Sequence, residues 1–162
     1  MNALKQNDKN LIRDIQQVGC FFRSAQFIAE NKTGTCLTAQ QINAMWLWAN
    51  EKGVIKNRIM VKGAAPIANR TLKILGDSGR FVEVGTFQNG STTYYKGIHY
   101  DLQTIDALIQ KVKQPAGSVY PEHFRVVDKF GAVIFDPYEP PLKNCTPMYS
   151  ILFAYLEGGI NE

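Results

Sequence analysis

The chain has 162 residues, of which 45% are hydrophobic, 20% charged and 11% aromatic, values that fit one ordinary globular domain and exclude a disordered or fibrous chain. Its 18 Lys and Arg against 14 Asp and Glu give a net charge of +4, but the basic residues are scattered, whereas a phosphate-tracking groove wants them clustered with interleaved aromatics, so nucleic acid is not indicated. No apolar run approaches the roughly 20 residues of a membrane helix, the opening residues carry no secretory pattern, and three cysteines cannot all pair, which together predict a cytoplasmic protein with free thiols unless a dedicated system delivers it elsewhere.

Residues 1–10 are polar and expected to form a flexible tail, as are residues 157–162, leaving 11–156 as a single domain. Phe21, Ala25, Ile28 and Ala29 recur at helical spacing and predict a helix from Cys20 to Asn31, stopped by Gly34. Thr38 followed by Gln41 is a capping-box start for a second helix whose inner face is Ile42, Met45, Trp46 and Ala49, with Gly53 as its stop. Pro66 opens a third, which runs through Ile67 and Leu72 to Leu75.

The period then becomes two. Phe81–Phe87 alternates, Asn89-Gly90 is a hairpin turn, and Thr92–His99 returns. Asp101 could cap a helix with Leu102, Ile105, Leu108, Ile109 and Val112 on one face. A second hairpin follows, His123–Asp128 and Ala132–Asp136, turning at Asp128-Lys129-Phe130-Gly131. Thr146–Tyr155, nearly all apolar, is a buried final strand. Helices first and strands last is the α+β pattern.

Three residues stand out chemically. Cys20 follows a glycine at a helix start, where unpaired N–H groups and the helix dipole favour a thiolate. His123 and Asp136 lie near opposite ends of one hairpin. A two-residue loop at Lys129-Phe130 sets them directly opposite, so that the carboxylate could orient the imidazole. A bulge at Gly131 would instead place Asp136 opposite Phe124 and turn it to the other face. The sequence allows both registers.

Gly19-Cys20 at a helix start, then His123-Phe124-Arg125-Val126-Val127, then Asp136-Pro137-Tyr138 resembles the papain-like cysteine peptidases. The nearest branch is the bacteriocin-leader-processing peptidases with their small bacterial and phage relatives. The resemblance implies a helical layer carrying Cys20 packed on an antiparallel sheet carrying His123 and Asp136. It makes Cys20 the nucleophile, His123 the base and acid, and Asp136 the orienting residue. The implied activity is a thioester-forming peptidase or amidase acting on a peptide or protein, with no cofactor, metal or membrane partner. The family's oxyanion-hole Gln would fall six residues before Cys20, where this chain has Asp14, and Gln16 and Gln17 are the nearest amides.

A catalytically impaired binding module, which the Asp14 departure would permit, and a small toxin or effector domain are the alternatives. A protein partner that completes the oxyanion hole is compatible with either. Cys36, after a Gly-Thr turn, and Cys145, after a Pro-rich loop, have no evident basic partner and read as structural, and no Cys/His spacing suits zinc. His99 is a rival base at a strand end. Trp46 reads as core, while Trp48, two residues on, must point elsewhere.

Overall fold

The computed structural model describes residues 2–88 and 105–158, together with short strand pieces at 91–92, 94–95 and 98–99. Helices α1 (Arg13–Val18), α2 (Cys20–Thr33) and α3 (Ala39–Glu51) come first. A small hairpin, β1 (Ile55–Lys56) and β2 (Ile59–Met60), precedes α4 (Ala65–Ile74). The strands β3 (Arg80–Gln88), β4 (Ser91–Thr92), β5 (Tyr94–Tyr95), β6 (Ile98–His99), β7 (Ala107–Lys113), β8 (Glu122–Val127), β9 (Val133–Phe135) and β10 (Thr146–Leu156) follow. The protein is α+β, with an N-terminal helical region and a C-terminal antiparallel sheet ordered β4-β3-β10-β7-β8-β9. Among the described residues no helix is long and apolar enough to cross a membrane.

The helix signals act locally as their chemistry requires. Both halves of the capping box form: Gln41 N–H donates to Thr38 Oγ1 (3.2 Å) and Thr38 N–H to Gln41 Oε1 (2.9 Å). Gly34 ends α2 in the left-handed region (φ 74°), which a Cβ would disfavour. α2 is the central helix. It packs on α4 and along β8, with Phe27 stacked on Phe135 at 4.2 Å and Phe22 edge-on to Trp46 at 5.0 Å.

Two expectations fail here. The apolar set from Asp101 to Val112 does not form a helix over its described part: residues 107–113 are strand β7, between β10 and β8, while 101–104 lie outside the described residues. The cause is burial on both faces. Ile109 belongs to the large core under the helices and the adjacent Leu108 to a second cluster with Val84, Val127 and Leu152. A strand covered on both sides loses its polar alternation, and its apolar residues then fall at helical intervals by coincidence. Likewise the 92–99 stretch is not one returning strand. β4 pairs with β3 (Phe87↔Thr92, Gln88↔Ser91), bracketing Asn89-Gly90, whereas β5 and β6 pair with each other. The Asn89-Gly90 turn itself lies outside the described residues.

The segment expected to be a tail is the third departure. Gln6 is buried, Arg23 donates to Leu4 O through Nε (3.0 Å) and an Nη (2.8 Å), and Gln6 N–H donates to Pro137 O (2.6 Å). These bonds are mostly to backbone atoms, which any sequence supplies, so a polar composition could not reveal them.

Candidate active site

Cys20 is the first residue of α2, and the first N–H groups of a helix have no partner inside it. Gly19 is required by space rather than by its backbone angles (φ −84°), since a Cβ there would collide with the Ile15 carbonyl of α1. That close approach lets α1 end and α2 begin within one residue, leaving the half-buried Cys20 thiol at the junction.

The strand β8 supplies His123. Its ring is 3% exposed and its Nε2 lies 2.8 Å from Asp136 Oδ1. The register that achieves this is neither of the two considered from sequence. Val127 pairs with Val133 but Val126 pairs with Phe135, so Ile134 is an extra residue in β9. One step further, Asp136 would be level with Arg125, two residues from His123. An offset of two preserves the face, and diagonal neighbours are within reach of long side chains. The bulge at Ile134 undoes the change of face that a bulge at Gly131 alone would have caused.

Asp136 is held from several sides. Oδ1 also accepts from Tyr138 N–H (2.9 Å), and Oδ2 accepts from Leu142 N–H (3.2 Å). Burial pushes this carboxyl upward, but the bonds from His123, Tyr138 and Leu142 outweigh it and hold it below the ordinary aspartate value. Burial would pull the His123 imidazole down. The hydrogen bond to Asp136, with the nearby Cys20 thiol and the Asp136 charge, overcomes that, and its pKa is pushed up to about 9. Since Asp136 occupies Nε2, the ring nitrogen left for the thiol is Nδ1. An aromatic clamp adjoins the contact: Phe21, next to Cys20, stacks on Phe124, next to His123, at 4.2 Å. It fixes the helix tip to the strand beside Cys20 and His123.

A protein family of unknown function, DUF261, matches residues 1–146, a span that includes Cys20, His123 and Asp136. The chain belongs to the DUF261 family. No curated protein and no solved structure matches it.

The other expected site residues of this DUF261 chain are engaged elsewhere. Gln16 Nε2 donates to Leu11 O (2.7 Å), and Gln17 Oε1 accepts from Arg58 (2.7 Å). Asp14 pairs with the same Arg58 at 3.3 Å. Arg58 reaches both from the β1–β2 turn, where Asn57 and Arg58 have positive φ (50° and 67°). That contact leaves no sequence signal beyond a two-residue turn. The backbone of His99 pairs with Tyr94, and its side chain lies outside the described residues. Cys36 and Cys145 are both pushed up, chiefly by burial. Among the described residues no group of His, Cys, Asp and Glu could hold a metal ion.

Sequence reading also missed Gln6. Its Nε2 donates to Gln16 O (3.3 Å), one turn before Cys20, while its buried Oε1 has no partner among the described residues.

Proposed function

We propose that the protein is a cysteine-dependent hydrolase of papain-like design, a peptidase or amidase working by acyl transfer through Cys20. The observation that carries this reading is the His123 ring between the Asp136 carboxylate and the Cys20 thiol, with its pKa raised to about 9. At neutral pH the ring is therefore an imidazolium, the partner a thiolate needs. The thiolate attacks the carbonyl carbon of an amide. The Nδ1 proton passes to the leaving nitrogen as its bond to carbon breaks, and a thioester remains. His123, now neutral, takes a proton from water as the oxygen attacks the thioester carbon, and collapse releases the acid and restores the ion pair. Asp136 holds ring and tautomer throughout. The oxyanion would be met by the unpaired Cys20 N–H at the start of α2.

A second reading, an impaired binding module on the same fold, is favoured by one observation: the Gln16 amide donor is committed to Leu11 O, and Asp14 and Gln17 are taken by Arg58. Both readings face one experiment. At about pH 6.5, where ordinary thiols are mostly protonated, iodoacetamide should modify Cys20 well before Cys36 and Cys145. Cys20→Ala should lower the hydrolysis of a fluorogenic peptide mixture by at least about 10³-fold. A Cys20 that reacts last would exclude the nucleophile. Fast alkylation without hydrolysis would favour the impaired module.

A further inference from the structure

The expected flexible tail is instead bonded to both halves of the candidate site. On one side its Leu4 carbonyl accepts twice from Arg23, which lies one turn beyond Cys20 on α2. Arg23 is fully buried and fixed in turn by Gln26 Oε1 (2.8 Å) and Glu30 Oε1 (3.0 Å). On the other side three consecutive residues grip the turn that carries the orienting carboxylate. Lys5 Nζ donates to Asp136 O (2.6 Å), Gln6 N–H to Pro137 O (2.6 Å), and Asn7 exchanges two bonds with Glu139, donating to its carbonyl (2.7 Å) and accepting from its N–H (3.1 Å). The contacts form a closed ring. It passes from α2 through Arg23 to Leu4, along residues 5–7 to the 136–139 turn, through Asp136 to His123, and back to Cys20.

We propose that residues 4–7 are a positioning strap, with Lys5 and Asn7 as its positioning side chains, that fixes the Asp136 turn relative to the α2 tip and so holds Asp136 on His123. None of these residues touches the reacting atoms. The strap is needed because the β8–β9 pairing ends at Phe135, one residue before Asp136. The sheet ladder thus stops short of the carboxylate, and among the described residues the hydrogen bonds to the 136–139 backbone from outside that turn come from the strap. The catalytic meaning of this device rests on the function proposed above, but its existence does not.

The test reads the His123 imidazole by NMR titration, with no substrate and with His99 as the second, reference resonance. Two variants of the full chain are used, Lys5→Met and Asn7→Ala, at half-buried positions where the fold should survive, as checked by circular dichroism. Each should lower the His123 midpoint by about half a pH unit or more, because a loosened Asp136 favours the imidazolium less. The direction is decisive for Lys5, since removing a nearby cation without any positioning effect would raise the midpoint. Lys5→Arg, which keeps the charge and a donor, should restore the parent value. A midpoint that rises or stays fixed in Lys5→Met, or an unshifted Asn7→Ala, overturns the strap even if thermal stability falls. A lowered midpoint in a chain without hydrolase activity would leave the strap standing and remove the enzyme.

Discussion

The two ends of the β8–β9 hairpin are ordered by opposite means. At the turn end, Asp128 does nearly all the work locally: its Oδ1 accepts from Phe130 and Ala132 N–H groups (2.9 Å each), its carbonyl accepts from Gly131, and Gly131 takes φ 87°. Phe130 is 85% exposed there, and Val133 and Ile134 are half exposed. At the other end, His123 and Asp136 are buried; Tyr138 and Leu142 hold the carboxylate locally, but Lys5 and Cys20 reach the pair from the distant N-terminal part of the chain. A turn closed by its own residues tolerates change, whereas a site assembled from remote segments depends on each of them. The difference teaches where this fold places its constraint, at the end bearing the buried His123–Asp136 pair.

The largest expected effect lies in the buried charge behind the site. Arg23→Met keeps much of the side-chain volume but leaves Glu30 buried without its cation and the Leu4 carbonyl without its donors. Glu30 Oε2 still accepts from Leu37 N–H (2.7 Å), which does not replace a charge. Breaking one partner of a buried pair costs about 3–5 kcal/mol. A chemical denaturation series should show that loss, and a variant within about 1 kcal/mol of the parent would mean that the buried ion pair is dispensable.

That network marks where sequence reading stops. The starts and stops of α2, α3 and α4 were legible because they are local: Thr38 with Gln41, Pro66, and Gly34 each act on backbone within four residues, whereas α1, which begins after Ile12 with no side-chain cap, was not predicted. Cys20, His123 and Asp136 were selected as candidates for the same reason, each sitting beside a local signal in glycine, aromatic or proline. What brings them together was not legible. The Ile134 bulge sets the register at Asp136, and an extra residue in a short strand has no signature when every neighbour is apolar. The strap's bonds run largely to carbonyls. Arg58 reaches Asp14 and Gln17 across more than 40 residues of sequence. β7 misled because its two covered faces erase the alternation on which a strand is recognised.

The next effect is on pH dependence. In Asp136→Asn the charge that raises His123 is gone, and its midpoint should fall from about 9 toward the ordinary value of about 6.5. A group whose folded pKa is raised contributes stability that is complete below its unfolded value. For His123 that contribution is lost as pH rises through about 9. Asp136, depressed when folded, contributes stability present above the ordinary value of about 3.9 and lost as pH falls through its lower folded value. The parent should therefore lose melting temperature between about pH 7 and pH 10, and Asp136→Asn should lose less across the same window. Parallel pH profiles for the two proteins would show that the carboxylate does not govern the ring.

The smallest effect should come from the turn end, and it sharpens the contrast because the residue is large. Phe130→Ala deletes a whole aromatic ring, a change that costs about 3–5 kcal/mol in a core. Here the ring is 85% exposed, so little apolar area returns to water, and the bonds from the Phe130, Gly131 and Ala132 N–H groups to Asp128 are all left in place by the substitution. The expected change in unfolding free energy is within about 0.5 kcal/mol, and neither the His123 midpoint nor the rate of Cys20 alkylation should move. A shift in either would mean that the hairpin transmits strain along its length through β9, and the division between a self-contained turn and a remotely assembled site would have to be given up.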